Sequence, residues 1–119
     1  MKIFISQPMT GLSEEEILFT RKKEEIKARL MFGDDVEFAS SYIYENTRKR
    51  LEEKYKNDNT NWGIYWLTRS LSSMCMCDIL WLVEGWENSK GCQIEREIAE
   101  MYGLDVYYPA HNYKELEDV

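Results

Sequence analysis

The chain has 119 residues and a mass of 14.2 kDa, the size of one domain, which buries roughly 65 to 70 per cent of its unfolded surface. Hydrophobic residues at 44% and charged residues at 31%, with six glycines and two prolines, exclude a disordered, collagenous or low-complexity protein. Fifteen cations against 22 anions, net −7 with a pI near 4.8, repel a nucleic-acid backbone and disfavour a DNA or RNA binder.

Lys2 to Ser6 is β-branched and aromatic and runs into the loop residues Gln7, Pro8, Met9, Thr10 and Gly11, so a strand is followed by a loop. Ser13 with Glu16 forms a capping box, Glu14 to Glu16 suit a helix N-terminus, and Phe19, Ile26 and Leu30 recur at helical spacing. These features predict a helix from about Glu14 to Met31, stopped by Gly33 and followed by a short strand Val36 to Ala39. Residues 46–61 form a charged insert, a short surface helix plus loop whose cations Arg48, Lys49, Arg50, Lys54 and Lys56 read as a solvated face. Ile64, Leu67, Leu71 and Met74 then mark an amphipathic helix facing a core. The unbroken run Ile79 to Val83 is the pattern of a central parallel strand covered on both faces. Ile94, Ile98 and Met101 predict a further helix closed by Gly103, and Val106 to Tyr108, ended by Pro109, is the last strand.

Strands alternating with helices predict one α/β domain over residues 1–119, a three-layer α/β/α sandwich with a flavodoxin- or Rossmann-like parallel sheet of order 2-1-3-4. In such sheets ligands bind outside the strand C-termini where the order reverses, which brings the Ser6 to Gly11 loop against the Glu84 to Gly91 loop. The longest apolar run, about six residues, is far below the roughly 20 that span a bilayer, and no signal-like segment follows the N-terminus. Cys75, Cys77 and Cys92 form neither a CxxC pair nor an even set, so neither a disulfide framework nor a metal site is expected, and the setting is a reducing cytoplasm.

The absence of GxGxxG and of GxxxxGK[ST] removes the dinucleotide fingerprint and the P-loop, and no cofactor is expected. The only histidine, His111, lies in the C-terminal tail and reads as a surface residue, which leaves no Ser-His or Cys-His pair. Cys92 near a helix N-terminus reads as a small buried residue more readily than as a reactive thiol. Among the carboxylates Glu95 stands out. One residue past Ile94, it sits about 100 degrees from the expected core stripe, and its side chain leans back toward the crevice. Trp62, Trp66 and Trp81 read as core or interface, whereas Trp86 sits in the crevice loop, where packing and lining of the pocket are equally open.

Ile3-Phe4-Ile5-Ser6-Gln7-Pro8-Met9-Thr10-Gly11, Cys77-Asp78-Ile79-Leu80, Gly85-Trp86-Glu87 and Gly91-Cys92-Gln93-Ile94-Glu95-Arg96-Glu97-Ile98-Ala99 together resemble the nucleoside 2-deoxyribosyltransferase-like superfamily. The likeness is to its compact branch of bacterial and phage proteins with ISxPMTG and GWExSxGCxxE motifs, and covers nearly the whole chain outside the insert and the tail. It implies that Glu95, four residues after Gly91, is a nucleophile. It also implies that Asn88 and Ser89 lie at the sugar or base, with Ser89 where the transferases carry a catalytic aspartate. Asp78 matches a ligand-approaching position, and Glu97 stands where the family usually has glycine.

The activity implied is double displacement at the anomeric carbon of a nucleoside or nucleotide, either N-glycosidic bond cleavage or 2-deoxyribosyl transfer. Glu87 is then the nearest acid by sequence. Ser6, Gln7, Met9, Thr10, Gly11, Gly85, Trp86 and Gly91 complete the expected substrate site, and the resemblance implies a homo-oligomer. Two other readings stay open: a crevice that senses or sequesters a nucleotide or ADP-ribose-derived ligand without turnover, favoured by Ser89 in place of the acid, and an accessory protein that binds only partners.

Overall fold

A computed structural model of the chain describes residues 1–56 and 58–109; His111 lies outside them. The elements run β1 (Lys2–Ser6), α1 (Glu14–Phe32), β2 (Glu37–Ser40), α2 (Glu45–Lys54), α3 (Trp62–Met74), β3 (Ile79–Leu82), a single 3-10 turn (Trp86–Asn88), α4 (Lys90–Met101) and β4 (Asp105–Tyr107). The four strands form one all-parallel sheet of order β2-β1-β3-β4, the expected Rossmann-like α/β/α arrangement. β1 and β3 sit at its centre, paired Ile5 to Trp81 and Ser6 to Leu82, and the order reverses between them.

Successive strand residues point to opposite faces, and this alternation builds two cores. Ile3, Ile5, Ile79, Trp81 and Val83 pack with Ala28 of α1 and Val36 on one face. Phe4, Leu80 and Leu82 pack with Met74 of α3 and Cys92 and Ala99 of α4 on the other. Ser6 falls in step with Phe4, so the strand's pleat turns its hydroxyl toward α4. The site described below rests on this parity.

α1 begins on the predicted capping box: the Glu16 N–H donates to the Ser13 hydroxyl at 3.1 Å and the Glu16 carboxylate accepts from the Ser13 N–H at 3.5 Å. Its apolar periodicity, however, marks the wrong face. Phe19 is 63% and Leu30 84% exposed, with Ile26 also exposed, whereas the helix buries Ile17, Glu24 and Ala28. The two sets share spacings of seven and four and lie two positions apart, about 200° around the helix. The predicted stripes of α3 and α4 hold in part, since Leu71, Met74 and Ile98 pack into the second core. Ile64 at the start of α3 and Met101 at the end of α4 are exposed, while Ser70 and Met74 in α3 and Cys92, Glu95 and Ala99 in α4 are buried.

Buried Glu24 has a defined task. Its Oε2 accepts the indole N–H of Trp81, the largest fully buried side chain, at 2.9 Å, and its Oε1 meets Lys27 Nζ at 3.3 Å. The carboxylate thus satisfies the one polar atom that a central tryptophan brings into the core. Asp78 acts similarly at the far end of the sheet, where its carboxylate accepts the Lys2 N–H at 2.8 Å. Among the described residues no helix is long and apolar enough to cross a membrane.

Removing the acceptor leaves a buried N–H unpaired, which costs about 1 to 3 kcal/mol. Glu24→Leu is therefore expected to lower unfolding free energy in urea by that amount, and Glu24→Gln, which keeps an acceptor, by less; equal losses would contradict the role given to the bond.

Candidate active site

The site forms where β1 and β3 end side by side. The loop after β1 carries Gln7 to Ser13, and the loop after β3 turns at Gly85, whose φ of +92° is a left-handed conformation that glycine alone adopts without penalty. A Cβ at Gly85 would also stand 3.4 Å from the Pro8 ring, so the two loops touch there. The second loop ends at Ser89, whose hydroxyl accepts the Cys92 N–H at 3.4 Å and caps α4. This aims the start of α4 into the crevice.

From the second turn of α4 the Glu95 side chain reaches the sheet. It is 3% exposed. Ser6 Oγ donates to its Oε1 at 2.7 Å, and Ser70 Oγ of α3 donates to its Oε2 in a short hydrogen bond. Each oxygen is thus held by a hydroxyl, one from β1 and one from α3, and the carboxyl plane is fixed from two sides. Burial pushes the Glu95 pKa above the ordinary glutamate value, and the Ser70 and Ser6 bonds offset only part of that rise. The group neither faces bulk solvent nor is sealed in an apolar interior.

Glu95 forms part of the wall of a cavity of about 210 Å³, together with Gln7, Met9, Thr10, Ser41, Gly63, Trp66, Leu67, Ser70, Ser89, Gly91 and Cys92. Four lining residues, Met9, Thr10, Ser41 and Trp66, are shared with a larger chamber of about 550 Å³. Glu14, Tyr42, Glu45 and Arg48 are on the wall of that outer chamber. There the Tyr42 hydroxyl donates to Glu14 Oε1 in a short hydrogen bond and the Glu45 N–H donates to the same oxygen at 3.0 Å. The Tyr42 bond, with the Glu45 N–H, holds Glu14 below the usual carboxylate range, while burial and then Glu14 push Tyr42 up to about 12. The chamber therefore offers an ionised carboxylate and a protonated phenol at neutral pH.

Of the residues expected at the site, Gln7, Met9, Thr10, Ser89, Gly91 and Glu95 gather on the inner cavity. Gly11 lies on the outer chamber. Ser6 is fully buried beneath them, and its hydroxyl serves Glu95. Gly85, Trp86, Glu87, Asn88 and Asp78 are part of the wall of neither cavity. Trp86 packs against Tyr108 with ring centroids 5.5 Å apart, and the Arg96 guanidinium lies over its ring at 5.3 Å. Glu87 is exposed on the 3-10 turn, where its carbonyl accepts from the Gln93 amide. Asp78 lies at the opposite end of β1 from Ser6. Cys92 is buried and burial raises its pKa, which keeps it a thiol.

The wall supplied by α3 and by the segment after β2, namely Ser41, Trp66 and Ser70, is absent from the motif-based expectation. One signal for it exists in the sequence. Ser70 lies four residues from both Trp66 and Met74, a hydroxyl in the middle of a buried helical stripe. Among the described residues no group of three His, Cys, Asp or Glu is placed to hold a metal.

Residues 1–108 match a family model described as a domain of unknown function, DUF4406. No curated protein and no solved structure matches the chain.

The raised pKa of Glu95 has a sign that stability measurements can read. A carboxyl harder to ionise when folded leaves the fold at full strength below the ordinary glutamate pKa, and stability is lost as pH rises from there through the folded value. Glu95→Gln, which keeps shape and cannot ionise, is expected to melt higher than the parent chain at neutral pH, with the gap closing on acidification below the ordinary glutamate range. A variant less stable at every pH would contradict the burial argument.

Proposed function

We propose that this chain, which belongs to the DUF4406 family, breaks or transfers the N-glycosidic bond of a nucleoside, with Glu95 as the nucleophile. The observation that carries this reading is a buried carboxylate, held at both oxygens by hydroxyls, on the wall of an otherwise largely neutral cavity that shares four wall residues with a larger one. The inner cavity takes the sugar and the outer chamber the base. The resemblance to the nucleoside 2-deoxyribosyltransferase-like superfamily supports the same assignment for Glu95.

In the reaction a Glu95 oxygen attacks C1′, the C1′–N bond breaks, and its electron pair passes to the base nitrogen, which takes a proton from solvent entering through the outer chamber. A glycosyl ester on Glu95 results. Water or a second base then attacks C1′ and returns Glu95 as a carboxylate. The hydroxyls of Ser6 and Ser70 fix the attacking group in one orientation, so less freedom is lost on the way to the transition state. The raised pKa keeps the carboxylate more basic, and so more nucleophilic, than an exposed glutamate. The reaction needs the ionised form, and the rate falls as pH drops through the folded pKa of Glu95, which lies above the ordinary value.

The sensing reading draws on Ser89. Its hydroxyl is occupied as the α4 cap, and Glu87 lies on the wall of neither cavity, so among the described residues no carboxylic acid other than Glu95 lines the inner cavity to protonate the base. On this reading the ligand binds and leaves unchanged.

Incubation with the common 2′-deoxynucleosides, their 5′-monophosphates and a free acceptor base is expected to release or exchange base. Glu95→Gln should lower that rate on the order of 10⁴-fold, and the acid limb of kcat/KM should inflect above the ordinary glutamate range. Binding of a panel member without turnover would support the sensing reading instead. Aspartate caps a helix as well as serine does, so Ser89→Asp should keep the fold and add a proton donor on the cavity wall. Base release should then rise by about 10² or more; an unchanged rate would show that protonation is not limiting.

A further inference from the structure

Gln7 is the first residue after β1 and is 2% exposed. Its amide orientation is not arbitrary. One end lies 3.0 Å from the Ile17 carbonyl oxygen, which can only accept, so that end is the NH₂ and the other is Oε1. Oε1 is buried and has no hydrogen-bond partner among the described residues. A buried amide oxygen left unpaired costs about 1 to 3 kcal/mol, and native proteins rarely retain one without a use. Gln7 lines the same inner cavity as Glu95.

The chemistry of that cavity narrows what pairs with Gln7. Oε1 accepts and cannot donate, and ionised Glu95 likewise only accepts. Among the described residues no lysine or arginine lines the cavity. A phosphate or carboxylate, all acceptor and anionic, meets neither a cation nor a free donor at Gln7 and is repelled by Glu95. A hydroxyl satisfies Oε1 and adds no charge. We infer that Gln7 is a specificity residue whose side-chain carbonyl accepts a hydrogen bond from a sugar hydroxyl of the ligand seated beside Glu95. The identity of that ligand as a nucleoside rests on the function proposed above.

The bond to Ile17 ties this acceptor to the start of α1, so the amide cannot turn to offer its NH₂ instead. A site built around one fixed acceptor rejects an analogue that lacks the matching donor more strongly than it rejects a change in apolar bulk.

Binding is best measured by calorimetry on Glu95→Gln, so that turnover does not consume the ligand. The ligands are 2′-deoxynucleosides with their 2′,3′-dideoxy and 2′,5′-dideoxy counterparts. Deleting one of the two hydroxyls is expected to weaken binding at least about tenfold when Gln7 is present, and less than about threefold in the background of Gln7→Met. Because Gln7→Met also gives up the bond to Ile17, the reading is the ratio between analogues within each protein, which a general loosening of the loop leaves unchanged. Should Gln7→Met fail to fold, Gln7→Asn, which keeps both amide functions but withdraws the acceptor by one methylene, should lose the discrimination in the same way. Equal discrimination with and without Gln7, or no binding by any member of the series, overturns the inference. Base release by the parent chain is scored separately: Gln7-dependent discrimination without any release sinks the catalytic function and leaves the Gln7 assignment standing.

Discussion

Taking a carboxylate out of water costs several kcal/mol unless partners replace its hydration, and the arrangement around Glu95 is organised by that cost. The pleat of β1 places Ser6 on the same face as Phe4 and turns its hydroxyl to α4, and the helical spacing of α3 brings Ser70 in from the other side. Two neutral hydroxyls recover part of the lost hydration and, among the described residues, no cation completes it, so the pKa stays above normal. An apolar residue at position 95 would give a cheaper core. A destabilising group held in fixed geometry on the wall of a cavity is the usual mark of a site kept for chemistry.

The polarity of the two cavities follows from the same elements. The inner one offers acceptors at Glu95 and Gln7 and hydroxyls at Ser41 and Thr10, those of Ser70 and Ser89 being engaged by Glu95 and the α4 cap, which suits a small polyol. The outer chamber sets Arg48 beside Glu14 and Glu45, so it carries more negative than positive charge. The start of α1, a natural anion site in other folds, is already closed by Ser13 and Glu16 and followed by an acidic first turn. A neutral sugar and base fit this distribution better than a phosphate does.

Much of the architecture was legible in the sequence because its signals are local. The unbroken Ile79 to Val83 run marked the central strand, the Ser13 and Glu16 box fixed a helix start, and strand alternation with helices implied the sheet order that is observed. The buried faces of the helices were legible only in part. Leu71, Met74 and Ile98 do pack into the second core, but in α1 the buried stripe contains Glu24, so a count of apolar residues finds the exposed stripe of Phe19, Ile26 and Leu30 instead. In α4 the half-buried Ile94 and Ile98 flank a buried line that contains Glu95. In both helices the misleading residue is a carboxylate with a specific partner, the indole of Trp81 or the hydroxyls of Ser6 and Ser70. Half of the site was hidden for a related reason. Gln7, Gly91 and Glu95 sit in recognisable loop and helix-start motifs, whereas Ser41, Trp66 and Ser70 reach the cavity only through the packing of α3 against β2 and the core and hydrogen bond it shares with α4, which no short motif encodes.

The central claim is that the Glu95 carboxylate forms a bond to a sugar carbon. Intact-protein mass spectrometry after rapid mixing with a 2′-deoxynucleoside, followed by peptide mapping at acid pH, tests it most directly. The account predicts a mass increase of one 2-deoxyribosyl group localised to Glu95. Base release with the label on another residue, or with no label under conditions that trap glycosyl esters, would contradict it.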